Sequence, residues 1–275
     1  MPVIAMTREM GSGGREVAQG VCEQLGLTLI LHEMVERDLA ERLAVPESTI
    51  HHRFEGGASL RERWQVGSSR LAQYTAEEIL ELAHKGDVLI RGWGACVLLR
   101  DVPHVARVRV CAPMPLRERN VMQRRGLEDA RAARREIERN DDAHRRTLQA
   151  QFGLGREDPL LYDLVLNTER LSIDTCVRLV SDLTESPELR ETEASRAALA
   201  DQVLGAHIRI KLDERFTAGT GVSAIEATVH GGKVVLRGTV IHSTLAAEAG
   251  SIVGTLPGVR DVDNRIEVVH GPHGL

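Results

Sequence analysis

Lysine is nearly absent from this chain. Of its 35 basic residues only Lys85, Lys211 and Lys233 are lysine, and all the others are arginine. The nucleotide composition of the genome is a sufficient explanation for such a bias. The bias still has a chemical consequence, because any reaction that needs a lysine side chain has only three candidates.

Three further absences bear on where the protein works. No run of 18 apolar residues occurs, which excludes a membrane-spanning helix. The segment 1–10 lacks the basic stretch and apolar core of a signal peptide. The four cysteines are scattered without the spacing of a metal site: Cys22, Cys96, Cys111 and Cys176. Buried, reduced thiols and a cytoplasmic location are therefore expected.

Size and composition are those of an ordinary globular protein. The length of 275 residues suggests two domains at about 150 residues each. A net charge of −5, with 42% apolar and 27% charged residues, excludes a disordered chain and a collagen-like chain. The same balance excludes a strongly basic nucleic-acid binder, so no nucleic-acid partner is expected.

The first part of the chain alternates short apolar runs with helical patterns. Five runs read as buried strands: Val3–Met6, Leu27–Leu31, Val88–Ile90, Val105–Val110 and Leu164–Leu166. Helical spacing of apolar residues lies between them and again at 172–183. This alternation predicts an α/β domain with a parallel sheet, whose ligands bind at the carboxyl ends of the strands.

A glycine-rich loop follows the first predicted strand and precedes the first predicted helix. It contains Gly11, Ser12, Gly13 and Gly14, followed directly by Arg15. Backbone N–H groups of such a loop and the positive end of the helix dipole both face an anion. A phosphate cradle is the functional interpretation, and a tight turn alone is the structural one.

A helical segment at 115–151 is dense in arginine. It holds ten arginines and seven acids, so its net charge is only +3. A pair of solvated helices linked by ion pairs accounts for most of these residues. The sharper hypothesis is that a subset of the arginines reaches a polyphosphate.

Several motifs in consistent order resemble the cytidylate kinase-like family over residues 1–183. They are Thr7-Arg8-Glu9-Met10-Gly11-Ser12-Gly13-Gly14-Arg15-Glu16, Gly92-Trp93-Gly94-Ala95, Asp101-Val102-Pro103, Val121-Met122-Gln123-Arg124-Arg125-Gly126, Asn140-Asp141 and the stretch from Asp158 to Thr168. The resemblance implies the P-loop nucleoside monophosphate kinase fold. Residues 32–75 would form the monophosphate-binding insertion and about 117–150 an arginine-rich lid.

The resemblance also implies an activity, the Mg²⁺-dependent transfer of a phosphoryl group from ATP to CMP or dCMP. Gly11, Ser12, Gly13, Gly14 and Arg15 would hold the donor phosphates. Arg145 and Arg146 would close from the lid, and Asp141 would pair with an arginine to shape it. His32, Arg91, Gly92 and Trp93 would line the acceptor site. The metal ligand is not identified, with Glu16 and Asp87 as candidates.

The loop departs from the usual P-loop pattern G-x-x-x-x-G-K-[ST]. With Gly13 as the second glycine, Gly14 stands at the lysine, Arg15 at the hydroxyl and Arg8 at the first glycine. Relatives commonly carry this same Gly-Gly-Arg loop. Arg15 is a candidate for the missing charge, although a guanidinium is not interchangeable with an ammonium group.

These departures keep alternative functions open. One is a non-catalytic nucleotide sensor, favoured by the absent lysine and hydroxyl. Another is a kinase for a different acceptor, because Trp93 and His32 stand where relatives often have arginine and aspartate.

The last part of the chain resembles a BON domain at 199–270, after a polar linker at 184–198. Helical and alternating patterns predict the order α-β-β-α-β, with Gly231-Gly232 as a hairpin turn. Such domains are proposed to bind phospholipid or to mediate contacts between proteins. A regulatory or oligomerisation module is the favoured reading over lipid contact.

Overall fold

The computed structural model describes residues 1–54, 68–92, 94–153, 157–216 and 225–269. It divides the chain into two compact units, Met1–Thr192 and Glu193–Leu275. The domain limits expected from the sequence, at 183, 199 and 270, remain predictions.

A five-stranded parallel sheet forms the centre of the first unit. Its strands are β1 (Val3–Arg8), β2 (Thr28–Ile30), β3 (Val88–Arg91), β4 (Val105–Cys111) and β5 (Leu164–Asn167). They are arranged in the order β2-β3-β1-β4-β5, and each neighbouring pair is parallel. The expected parallel α/β sheet is therefore confirmed.

Helices surround this sheet. They are α1 (Gly14–Leu25), α2 (His32–Leu43), α3 (Glu47–Phe54), α4 (Ser68–Lys85), α5 (Ala95–Leu98), α6 (Met114–Arg125), α7 (Ala130–Phe152) and α8 (Ile173–Glu185). Residues with known capping preferences mark the ends of several of these helices. Gly26 and Gly126 end α1 and α6 in the left-handed conformation, and Ser172 caps α8 by accepting from the Thr175 amide.

The main core lies between the sheet and helices α1 and α8. Val17, Val21 and Val180 are fully buried there against β1 and β4. Gly20 allows the two helices to approach, since a Cβ at this position would lie 2.7 Å from Val177 Cγ2. This packing fixes the start of α1 against the carboxyl end of β1.

The second unit has the order α-β-β-α-β, which confirms the sequence pattern. Its elements are α9 (Glu193–Arg215), β6 (Glu226–His230), β7 (Lys233–Val240), α10 (Ser243–Gly254) and β8 (Asp261–Val268). Strand β7 is antiparallel to β6 and parallel to β8. The amides of Gly231 and Gly232 donate to the Asp201 carboxylate at 2.7 and 3.1 Å, which ties the hairpin turn to α9.

Within the described ranges, no helix combines the length and the apolar character needed to cross a membrane.

Truncation of a core leucine tests the packing of the sheet. Leu89 on β3 is fully buried, whereas Leu160 is 83% exposed. Leu89→Ala is expected to lower the free energy of unfolding by about 2–5 kcal/mol, because it removes buried contacts and leaves a cavity. Leu160→Ala, the same chemical change, is expected to alter it by less than about 0.5 kcal/mol. Urea unfolding of both variants is the measurement, and equal losses would contradict this core.

Candidate functional site

The glycine-rich loop joins β1 to α1 at the carboxyl edge of the sheet. Gly11 and Gly13 have φ angles of 80° and 77°, which L side chains rarely adopt. A Cβ at Gly11 would also lie 2.6 Å from the carbonyl oxygen of Arg117. Glycine is required at Gly11 both for its backbone conformation and for this close approach of α6.

Side chains from later in the chain hold the carbonyl groups of this loop. Arg117 Nε donates to Met10 O at 2.7 Å, Asn120 Nδ2 to Gly11 O at 2.8 Å, and Thr168 Oγ1 to Ser12 O at 2.7 Å. The first amides of α1 lack intrahelical acceptors, as in any helix. A loop fixed by its carbonyls, next to free helical amides, is suited to bind an anion.

A buried ion network lies behind the loop. Both terminal nitrogens of Arg117 donate to the Asp141 carboxylate, at 2.9 and 2.8 Å. Arg117 also lies 3.6 Å from Glu9, which accepts from Arg109 at 2.9 Å. Asp141 therefore connects α7 to the loop through Arg117. The role in shaping the lid that the resemblance implies for Asp141 remains a prediction.

A cavity of about 960 Å³ opens beside the loop. Its walls come from the end of β1, from α2 and α3, from the end of β3, and from α6 and α7. Four of the expected site residues line it: Arg15, His32, Arg91 and Gly92. Trp93 lies outside the described residues.

Other expected residues do not reach the cavity wall. Gly11, Ser12, Gly13, Gly14 and Asp141 are not among the residues that line it. Arg145 is exposed and pairs with Asp142 at 2.5 Å. Arg146 is exposed too, and neither it nor Arg145 belongs to the cavity wall. Their part in phosphate transfer stays a prediction that needs a movement of α7.

Different arginines line the cavity instead, and sequence reasoning did not select them. They are Arg8, Arg124, Arg125 and Arg139. The available signal was weak, because Arg124 and Arg125 stood among ten arginines at 115–151. Which of these arginines line the cavity depends on which faces of α6 and α7 are turned toward it, and the sequence alone does not show this.

Charges around the end of β1 are closely spaced. Burial, together with the nearby charges of Arg91 and Arg124, lowers the pKa of Arg8 to about 10. Burial also lowers the pKa of Arg91, with Glu33 opposing and Arg15 adding to the effect. Both side chains remain cationic at neutral pH and present positive charge to the cavity.

Histidines from α2 and α3 also line the cavity. Burial lowers the pKa of His32, and Arg91 and Arg8 lower it further, while Glu33, 3.1 Å away, opposes the change. His32 is therefore neutral at pH 7. On α3, His51 Nδ1 lies 3.1 and 3.2 Å from the two carboxylate oxygens of Glu36, which is only 2% exposed. This Glu36–His51 pair was not anticipated from the sequence.

The two candidate metal ligands lie in different places. Glu16 stands in the first turn of α1, its carboxylate lies 3.5 Å from Arg124 Nη2, and its charge raises the pKa of both Arg8 and Arg91. Asp87 precedes β3, and its carbonyl accepts from the amide of Thr28 at the start of β2. Asp87 is therefore at the amino ends of the strands, away from the cavity, and is removed as a candidate.

Comparison with known proteins assigns the two parts of the chain separately. Residues 3–170 match the model of the cytidylate kinase-like family, and residues 200–270 match that of the BON domain. A cytidylate kinase of Pyrobaculum aerophilum is 28% identical over 186 residues, covering 67% of this chain and 93% of that protein. A cytidylate kinase of Methanopyrus kandleri is 28% identical over 179 residues, covering 60% and 83%.

One solved structure supports the fold alone. An uncharacterized protein from Eubacterium ventriosum aligns with a TM-score of 0.52 at 19% identity, over 68% of this chain and 99% of that one.

Removal of one partner of the buried Arg117–Asp141 pair is expected to destabilise the protein. Asp141→Ala leaves the Arg117 guanidinium buried without its main partner, and should lower the free energy of unfolding by about 3–5 kcal/mol. Asp142→Ala is the matched control, because the neighbouring acid pairs at the surface with Arg145. The control should cost less than about 1 kcal/mol. Denaturant unfolding compares the two, and similar losses would show that the Arg117–Asp141 pair does not anchor α7.

Proposed function

The chain belongs to the cytidylate kinase-like family, and from this membership we propose that its first unit transfers the terminal phosphoryl group of ATP to a CMP-type nucleoside monophosphate. The observation that carries the proposal is the cavity beside the glycine-rich loop. Arginines from β1, β3, α6 and α7 line that cavity, together with histidines from α2 and α3.

The positive side fits the polyphosphate of a nucleoside triphosphate. Arg8, Arg91 and Arg124 line the cavity and present positive charge to it, beside the glycine-rich loop. Phosphoryl transfer depends mostly on positioning and on stabilising the negative charge of the group in transfer. A preorganised set of guanidinium groups and backbone amides provides both.

The donor set also fits Mg²⁺ carried by the phosphates. Mg²⁺ is usually held by one or two carboxylates together with phosphates and water, and when bound it neutralises charge between the phosphoryl groups. Glu16 is our candidate for this role, because it stands in the first turn of α1 and its carboxylate lies 3.5 Å from Arg124, which lines the cavity.

The insertion side supplies the acceptor site in this proposal. His32, Arg91 and Gly92 line it, as the resemblance implies, and the Glu36–His51 pair adds a fixed imidazole. A neutral His32 recognises a base or sugar by hydrogen bonding rather than by charge. The charge of Arg91 lowers the pKa of both Arg8 and His32. In this proposal Arg91 can therefore contact a phosphate of the donor or the phosphate of the acceptor.

A second candidate function is a non-catalytic nucleotide sensor. Two observations favour it: the loop has no lysine or hydroxyl at the usual positions, and Arg145 and Arg146 lie off the cavity wall. A sensor would bind the triphosphate in the same place without transferring the phosphoryl group.

Turnover with a panel of acceptors tests the kinase proposal. The full chain with ATP and Mg²⁺ should form ADP fastest with CMP or dCMP among the common monophosphates. Arg124→Ala should lower kcat/KM by about 10²–10³-fold, since it removes a charge at the cavity. Arg119→Ala, on the same helix but exposed and off the cavity, should leave it unchanged. ATP binding without turnover for every acceptor would instead support the sensor.

For the BON domain we favour a protein partner over a phospholipid surface. Residues 200–270 contain seven basic and eight acidic residues, so the domain has no net positive charge to attract anionic lipids. The full chain is therefore expected not to sediment with vesicles of phosphatidylglycerol any more than with vesicles of phosphatidylcholine. Co-sedimentation measures this, and selective recovery with the anionic vesicles would reverse the preference.

A further inference from the structure

The position that carries lysine in an ordinary P-loop is occupied by Gly14 here. Glycine at this place is not explained by backbone conformation, because Gly14 begins α1 and is not among the residues with positive φ. Its reason is steric. A Cβ at Gly14 would lie 2.7 Å from Arg8 Cβ, 3.2 Å from Val110 Cβ and 3.4 Å from Arg8 Cδ, so the closest contact is with Arg8. The side chain of Arg8 passes directly over the α-carbon of Gly14.

Arg8 thus fills the space in which a lysine side chain at position 14 would begin. It starts from the last residue of β1, where the usual pattern has its first glycine. The two departures from the pattern are therefore one exchange: an arginine replaces the first glycine, and a glycine replaces the lysine beneath it. The arginine at position 8 requires the glycine at position 14, because the side chains of an arginine and a lysine would overlap there.

The surroundings of Arg8 are those of a site for a negatively charged group. Arg8 lines the cavity, and within the described part of the chain its guanidinium has no hydrogen bond or ion pair. Arg91 is 6% exposed, and its Nη1 is buried without a hydrogen-bond partner among the described residues. Buried cationic donors placed side by side repel one another, and an anion between them would satisfy both.

Arg15 is less suited to the same task. Arg15 lines the cavity too, but it is exposed in the first turn of α1, whereas Arg8 is partly buried. Arg15 stands at the position of the usual hydroxyl rather than at that of the lysine.

We propose that Arg8 replaces the P-loop lysine and, together with Arg91, binds the terminal phosphates of the nucleoside triphosphate. The inference rests on the proposed function in that it takes the cavity to be the triphosphate site. It adds the identity of the cation that neutralises the phosphates, which the family resemblance assigned to Arg15.

Binding of ATP and of inorganic tripolyphosphate to the full chain, followed by calorimetry, tests this proposal. Arg8→Met keeps the packing of the side-chain stem over Gly14 and removes the charge. It should weaken the binding of both probes about 10–100-fold, the scale of lost charge-assisted hydrogen bonds. Arg15→Ala tests the rival cation and should weaken binding less than Arg8→Met does. Arg119→Ala is the matched control, because Arg119 is exposed and off the cavity wall, and it should change the dissociation constants less than about threefold.

A double substitution distinguishes a phosphate-binding role of Arg8 from a purely structural one. Arg8→Gly combined with Gly14→Lys rebuilds the ordinary arrangement of glycine and lysine in the same space. This variant should bind tripolyphosphate within about tenfold of the unmodified chain, because it returns one cation to the same place. A thermal melt of each variant confirms that it is folded.

The outcomes are distinguishable. If the unmodified chain binds neither probe, the proposed function fails and this inference fails with it. If it binds both, while Arg8→Met binds equally well or Arg15→Ala loses more, only the assignment of Arg8 is overturned. If Arg8→Met does not fold, the double exchange decides, and a folded double variant without phosphate binding overturns the assignment.

Discussion

The side chain of Arg117 links the glycine-rich loop to the two helices that follow β4. It donates to the carbonyl of Met10, forms two hydrogen bonds with Asp141, and lies 3.6 Å from Glu9. A single guanidinium therefore joins the loop, helix α6 and helix α7. The planar fork makes this geometry possible, because its donors point in fixed directions toward several acceptors at once.

Charge in the first unit is divided between two populations of arginine. Those behind the loop, such as Arg117 and Arg109, are neutralised by buried acids. Those in front of it, Arg8 and Arg91, repel one another, and Arg91 retains a buried donor without a partner. The first population stabilises the scaffold, and the second provides positive charge for a ligand. Lysine would serve poorly behind the loop, where several directed donors are needed from one side chain.

Much of the fold was predictable from local pattern. Short apolar runs such as Val88–Ile90 indicated buried parallel strands, and alternation around Gly231-Gly232 indicated the hairpin of the second unit. The candidate site was only partly predictable. Arg15, His32, Arg91 and Gly92 were expected and line the cavity, whereas Arg8, Arg124 and the Glu36–His51 pair were not selected. Spacing along one helix does not report which of its faces meets another element.

The sequence by itself determined the strands, the loop and the shortage of lysine, because these follow from residue type and short-range periodicity. Only the tertiary structure decided which arginines face the cavity and why residue 14 is glycine. Both depend on contacts between residues distant along the chain or across a turn, such as Arg117 with Met10 and Arg8 over Gly14. The absence of lysine at position 14 is explained by the close approach of Arg8 at the end of β1. A linear sequence motif does not show this contact.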